Sequence, residues 1–166
     1  MAILVRPLSA DHWQAYRDIR LRALKSEPGV YATTHAEALA RADEVWKWSV
    51  SGPDHQVFGL FDGAALIGIT AIYCDRADPS GETAALAQSF IDPAYRGRSL
   101  SALFYQARLE WARQHGGFRR VVVSHRASNL ASMRANQRQG FRCTGSAPRV
   151  WPDGATEDEI SYELVL

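Results

Sequence analysis

Cysteine and lysine are both scarce in this chain of 166 residues. The two cysteines, Cys74 and Cys143, form no CxxC pair and no spacing typical of zinc. We therefore expect free thiols, no bound metal and a reducing compartment, the cytoplasm. Lysine occurs only at Lys25 and Lys47. The other basic residues are arginines, whose forked guanidinium suits phosphate and carboxylate groups. Codon bias in the source genome explains the same preference.

Long apolar runs and an excess of one charge are also missing. No apolar segment approaches the roughly 18–20 residues of a membrane span, and the N-terminal run is too short for a signal peptide. The formal net charge of +1 excludes a charge-driven grip on nucleic acid or on an anionic membrane. With 46% hydrophobic and 22% charged residues, the chain is typical of one globular domain over residues 1–166.

Hydrophobic periodicity and turn residues predict an α/β fold in the order β-α-α-β-β-β-α-β-α-β-β. The predicted helices cover about 11–25, 33–49, 99–115 and 129–139. The predicted strands cover about 2–5, 56–61, 65–74, 82–91, 120–124, 141–151 and 156–166. Asp62-Gly63 between two apolar runs is the strongest hairpin signal.

The most informative turn is the segment Arg96-Gly97-Arg98-Ser99-Leu100-Ser101, between a predicted strand and the longest predicted helix. The first amides of a helix lack internal partners and lie at the positive end of its dipole, so they bind anions. The small residues allow a phosphate to approach the backbone, and the two arginines add positive charge. The alternative is an ordinary turn with two solvated arginines.

A second polar feature opens the last predicted helix. Asn129, Ser132 and Asn136 are spaced i, i+3 and i+7, so they share one helical face that can hydrogen-bond a ligand. Gly140-Phe141 then returns the chain to a strand. The alternative is a surface helix with Asn129 as its N-cap.

Taken in order, these motifs resemble those of the GNAT superfamily of N-acetyltransferases. Its hallmark R/Q-x-x-G-x-G/A is similar to segment 96–101, its N-x-x-A to segment 129–132, and its G-F to segment 140–141. The resemblance implies a three-layer fold around a mixed, mostly antiparallel sheet. It also implies acetyl transfer from acetyl-CoA to a primary amine of a small molecule or peptide, by direct attack in a ternary complex. Exposed sheet edges in this family often pair two copies, which makes a homodimer an open expectation.

The resemblance further implies which residues hold acetyl-CoA. Backbone groups of 89–91 would bind the pantetheine arm, and an amide of Phe90 or Ile91 would polarise the thioester carbonyl. The amides of 97–101 would bind the pyrophosphate, and Asn129 the pantetheine or the CoA tail. The expected cofactor-binding set is Ser89, Phe90, Ile91, Arg96, Gly97, Arg98, Ser99, Leu100, Ser101, Asn129, Ser132 and Asn136.

Three positions depart from the family pattern. Ser99 and Ser101 stand where Gly or Ala is usual, and Asn136 stands where many members place a Tyr that assists the departing sulfur. An amide cannot act as an acid, but its NH2 can donate to a thiolate. A thiol with a pKa near ~8.5 leaves tolerably without protonation. These departures keep open a non-catalytic acyl-CoA-binding module. Missing Walker and Rossmann fingerprints disfavour an unrelated phosphate-binding transferase.

Glu82 is the best sequence candidate for the general base that deprotonates the substrate ammonium. It begins the cofactor-binding strand, and two-residue periodicity places it on the face of Phe90. An exposed carboxylate at a strand end fits the same pattern. Further candidates at the acceptor site, each also explained as surface or core, are His35, Glu37, Trp46, Trp48 and His125.

Overall fold

A computed structural model of the protein describes residues 2–166. The strands are β1 Ile3–Pro7, β2 Ser51–Gly52, β3 His55–Asp62, β4 Ala65–Cys74, β5 Thr83–Ile91, β6 Arg120–Arg126, β7 Arg142–Val150 and β8 Thr156–Val165. They form one eight-stranded sheet in the order β1-β3-β4-β5-β6-β8-β7, with the short β2 paired to β3. β5 and β6 are parallel, and the other pairs in this range are antiparallel. The mixed, mostly antiparallel sheet is therefore confirmed.

The helices are α1 Trp13–Ser26, α2 His35–Leu39, α3 Asp43–Val50, α4 Ser101–His115 and α5 Leu130–Arg138. The single helix predicted over 33–49 is wrong, because Ala42 has extended backbone (ψ 155°) and separates α2 from α3. Asp43 and Glu44 then occupy the first turn of α3, where the helix dipole favours carboxylates. None of the helices in residues 2–166 combines the length and apolar character needed to cross a membrane.

Alternating strand residues build a core on each side of the sheet. Val57 and Ile69 pack into the core that α1, α2 and α3 cover. Phe58 and Ile72 face the opposite way and pack into the core covered by α4. This alternation follows from the period of two in a strand, and it produces the three layers expected from the sequence.

A bulge in β5 interrupts that alternation. The pairing with β4 moves from Ala71↔Ala87 to Ile69↔Phe90, so β5 contains one extra residue. Gln88 occupies the bulge with a φ of 60°, and the Tyr16 hydroxyl donates to its Oε1 at 2.6 Å. The strand therefore changes face: Leu86 packs into the α4 core, whereas Phe90 packs into the α1 core.

β5 and β6 pair over only three residues each. Their parallel register runs from Thr83↔Arg120 to Ala85↔Val122. Beyond that point β6 stays paired with β8 as far as Arg126, and β5 stays paired with β4. The two strands therefore separate at their C-terminal halves and leave a wedge in the sheet.

The core below α1 gives a stability prediction. Trp46 is fully buried with its ring 5.7 Å from that of Tyr16, whereas Trp48 is 57% exposed. Trp46→Ala should lower the free energy of unfolding by about 3–5 kcal/mol, because it leaves a large cavity. Trp48→Ala is the matched control and should cost less than about 1 kcal/mol. Urea denaturation measures both, and equal losses would contradict this packing.

Candidate active site

An open cavity of about 640 Å³ lies in the wedge between β5 and β6. It extends from the turn before α4 along the length of α5, and the segment that follows α1 also lines it. The cavity brings together eleven residues of the expected cofactor set: Ser89, Phe90, Ile91, Arg96, Gly97, Ser99, Leu100, Ser101, Asn129, Ser132 and Asn136. Arg98 is not among the lining residues, and its guanidinium lies 5.1 Å from the Tyr95 ring centre.

The turn before α4 has the backbone of an anion site. Gly97 and Ser99 have φ values of 78° and 58°, in the left-handed region. Helix α4 consequently begins at Ser101, two residues later than the sequence predicted. Within residues 2–166, the amides of 97–101 donate to no backbone carbonyl. These free donors at the N-terminus of a 15-residue helix favour a phosphate group.

Arg96 ties this turn to neighbouring elements. Its Nε donates to the Ile91 carbonyl at 2.8 Å, and its Nη1 lies 3.1 Å from Glu27 Oε1. The side chain is 43% exposed, so the ion pair itself adds little stability. Arg96 therefore holds the turn against the end of β5 and the end of α1 while it faces the cavity.

Side chains from both layers hold β5 beside the bulge. Ser89 Oγ lies 2.8 Å from Thr70 Oγ1 and accepts from Arg108 Nη1 at 3.1 Å. The Ser89 carbonyl accepts from the Tyr31 hydroxyl at 3.0 Å. Burial raises the pKa of Tyr31, so its hydroxyl keeps its proton and remains a donor. The cavity edge of β5 is therefore fixed although no strand of the described residues pairs with it there.

Asn136 and Tyr105 form a buried pair at the cavity wall. Asn136 is only 1% exposed, and its Oδ1 accepts from the Tyr105 hydroxyl at 2.5 Å. Its Nδ2 is buried and has no hydrogen-bond partner in the described chain. An unsatisfied buried donor costs about 1–3 kcal/mol, so this amide is suited to a ligand acceptor.

Sequence reasoning missed Tyr105 and Arg108, which also line the cavity. The buried residues of α4 are Phe104, Tyr105, Arg108, Leu109 and Ala112. An arginine four residues after Phe104, on the stripe that faces the core, was the available signal.

Asn129 is the N-cap that the sequence offered as one interpretation. Its Oδ1 accepts from the Ser132 amide at 3.2 Å, which makes it the N-cap of α5. Both residues also line the cavity, Asn129 about two turns and Ser132 about one turn before Asn136. The polar face predicted for this helix therefore does face the wedge.

Glu82 lies away from this cavity. It precedes β5 and forms an ion pair with Arg119 at 3.0 Å, and it is not among the lining residues. Glu82 and Phe90 do not share a face as two-residue periodicity predicts, because the bulge at Gln88 reverses the strand faces.

The other candidate acceptor residues divide between structural positions and the cavity. Glu37 forms a capping box with Thr34, and neither it nor His35, Trp46 or Trp48 lines the cavity. His125 does line it. The His125 Nδ1 donates to the Arg126 carbonyl at 2.7 Å, and its Nε2 lies 3.2 Å from the Tyr162 hydroxyl.

The left-handed turn gives a prediction with a matched control. Gly97→Ala should lower the free energy of unfolding by about 1–2 kcal/mol, the cost of left-handed backbone for a residue with a Cβ. Gly145→Ala adds the same methyl group in open space without positive φ, so it should cost less. Thermal denaturation compares the two variants. Equal stability would show that the turn does not have this conformation.

Comparison with protein families identifies the fold's relatives. The model of the acetyltransferase (GNAT) family matches residues 13–141. Comparison with curated proteins gave no significant match.

Solved structures share the architecture over the whole chain. A GCN5-related N-acetyltransferase from Kribbella flavida is 23% identical, with a TM-score of 0.81, and the alignment covers 99% of this chain and 98% of that one. yncA from Salmonella typhimurium, solved with its cofactor acetyl-CoA, is 18% identical, with a TM-score of 0.83 and coverage of 100% and 95%. A ribosomal-protein-alanine N-acetyltransferase from Brucella melitensis is 18% identical, with a TM-score of 0.82 and coverage of 98% and 99%. These likenesses concern the fold. The family match over 13–141 means that the chain belongs to the GNAT family of acetyltransferases.

Proposed function

We propose that this protein transfers the acetyl group of acetyl-CoA to a primary amine of a small molecule or peptide, by direct attack in a ternary complex. The observation that carries this proposal is one cavity lined by three kinds of unpaired polar group. They are the free amides of 97–101, the cavity edge of β5, and the Asn136 amide. An acyl-CoA offers complementary groups in one molecule: a pyrophosphate, an extended arm with two amides, and a sulfur.

The turn and β5 provide the binding surface for acetyl-CoA. The amides of 97–101 and the α4 dipole suit the pyrophosphate. Among residues 2–166, β5 has no strand partner on the cavity side beyond Ala85, so its edge can bond the pantetheine amides as an added strand would. Serine at positions 99 and 101, in place of Gly or Ala, does not remove these backbone donors. Asn129 and Ser132 extend the polar wall along α5.

Two donors act on the thioester. A backbone amide of Phe90 or Ile91, held in place by the bulge, polarises the acetyl carbonyl, and one such donor contributes about 2.7–4 kcal/mol to a transition state. The Asn136 Nδ2 donates to the departing sulfur. It transfers no proton, because an amide is not an acid at neutral pH.

None of the lining residues in the described chain is a free general base, so water removes the substrate proton. Glu27 is the one carboxylate among the lining residues in the described chain, and it is paired with Arg96. Both nitrogens of His125 have partners, and Glu82 lies outside the cavity. We therefore propose that the ammonium loses its proton to solvent through the open cavity mouth.

The acceptor amine enters at the rim formed by Glu27, Val30 and Tyr31, at the end of α1. The Brucella melitensis neighbour named as a ribosomal-protein-alanine N-acetyltransferase supports a peptide amine as one acceptor class. The free thiols of Cys74 and the exposed Cys143 support a reducing compartment, and we propose the cytoplasm.

Acetyl-CoA binding is the first test. At about 100 times its Kd, acetyl-CoA should raise the free energy of unfolding by about 2.7 kcal/mol. Arg96→Ala and Asn129→Ala should each raise the KM for acetyl-CoA about fivefold to tenfold, as expected for the loss of one hydrogen bond or more. Arg142→Ala, an exposed arginine on β7, is the control and should leave the KM unchanged.

The outcomes separate the hypotheses. Absence of stabilisation by acetyl-CoA would contradict the proposal. Binding without CoA release, across a broad panel of amines and peptides, would instead support a non-catalytic acyl-CoA-binding module. Turnover with any amine in the panel would exclude that alternative.

Glu82→Gln tests the proton path. Loss of a general base typically lowers the rate about 10²–10⁴-fold, whereas a carboxylate paired outside the cavity should change kcat by less than about twofold. Steady-state kinetics with the best amine of the panel measures the effect. A hundredfold loss with unchanged stability would return Glu82 to the role expected from the sequence.

A further inference from the structure

Arg108 is a buried cation without a counter-ion. It is 2% exposed, and within residues 2–166 no carboxylate forms an ion pair with it. Burial lowers the pKa of its guanidinium to about 10. Its Nε donates to the Phe104 carbonyl at 3.2 Å, and its Nη1 donates to Ser89 Oγ. A protein seldom buries a charge without a partner, so this residue indicates that negative charge develops nearby.

Tyr105 lies between that cation and the Asn136 amide. The Arg108 guanidinium carbon is 4.8 Å from the centre of the Tyr105 ring. The hydroxyl of the same tyrosine donates to Asn136 Oδ1. Burial raises the pKa of Tyr105, and the charge of Arg108 acts in the opposite direction. A nearby cation makes a phenol a stronger donor and a weaker acceptor.

This polarisation decides which way the Asn136 amide points. A phenol that donates requires an acceptor, so it bonds Oδ1 and not Nδ2. Nδ2 is then the atom left without a partner, on a side chain that lines the cavity. Without the phenol, the amide could present either end to the cavity, and its oxygen would repel a thiolate.

We propose that Tyr105, polarised by Arg108, is a positioning residue that holds the Asn136 NH2 toward the sulfur of CoA. The inference rests on the proposed acetyl transfer and adds to it how this chain supports the leaving group without an acid. Tyr105 acts through Asn136 and does not contact the reacting atoms.

The step balances without a protein acid. The amine nitrogen forms a bond to the acetyl carbon and loses its proton to water. The carbon–sulfur bond then breaks, and its electron pair stays on the sulfur as a thiolate. Asn136 Nδ2 donates a hydrogen bond to that thiolate, and the charge of Arg108 reaches it through the Tyr105–Asn136 hydrogen bond. CoA takes up a proton from solvent after it leaves.

Paired binding measurements test the orientation without relying on turnover. CoA and desulfo-CoA, which lacks the sulfur, are titrated by calorimetry into the wild type and Tyr105→Phe at about pH 9.5, where a thiol with a pKa of ~8.5 is mainly the thiolate. The wild type should prefer CoA about tenfold, the factor expected for a hydrogen bond to a charged acceptor. Tyr105→Phe should lose this preference and bind desulfo-CoA as before. Tyr162→Phe, which removes another buried hydroxyl, is the control and should keep the preference.

Kinetics give an independent readout. Tyr105→Phe should lower kcat about tenfold and leave the KM for acetyl-CoA nearly unchanged, because the loss concerns the leaving group only. Asn136→Tyr supplies a phenol directly, as in many family members, so in that background Tyr105→Phe should have little further effect. Equal penalties in both backgrounds would show that Tyr105 does not act through Asn136.

The failures are distinguishable. Equal binding of CoA and desulfo-CoA by the wild type, or an unchanged preference in Tyr105→Phe, would overturn this inference and leave the proposed acetyl transfer standing. Binding of neither compound by the wild type would contradict the proposed function itself.

Discussion

The end of the β5–β6 pairing at Ala85 and Val122 is the constraint on which the site depends. Each strand is held on its other side, β5 by β4 and β6 by β8, so both continue but diverge. A polar strand edge is thereby exposed inside a folded domain, where backbone groups normally require partners. The wedge supplies both the space and the unpaired groups for an extended ligand.

The charges at this wedge favour an anionic ligand that also carries a sulfur atom. Free helix amides lie at the turn before α4, and Arg108, which forms no ion pair within residues 2–166, lies in the cavity lining. Among the lining residues of the described chain, Glu27 is the one carboxylate, and Arg96 offsets its charge. The positive groups are therefore held by the fold in advance of binding, which reduces the reorganisation needed for catalysis.

Short-range patterns predicted much of the fold and of the cavity lining. The Asp62-Gly63 hairpin, the turn at 96–101 and the i, i+3, i+7 face of α5 all depend on neighbours within about one or two helical turns. The structure contains the hairpin, the turn and the polar helix face that these patterns predict. The errors arose where tertiary contacts override local pattern. Gln88 adopts a left-handed conformation with Tyr16 bonded to its side chain, and that contact comes from 72 residues away.

The sequence by itself determined the family resemblance, the order of elements and most residues of the proposed cofactor surface, because these are encoded in short motifs. Tertiary structure alone decided that Glu82 faces away and that Arg108, Tyr105 and Asn136 meet. The reason is geometric: one extra residue in β5 reverses a strand face, and residues 31 positions apart become hydrogen-bond partners only when α4 and α5 pack across the same wedge.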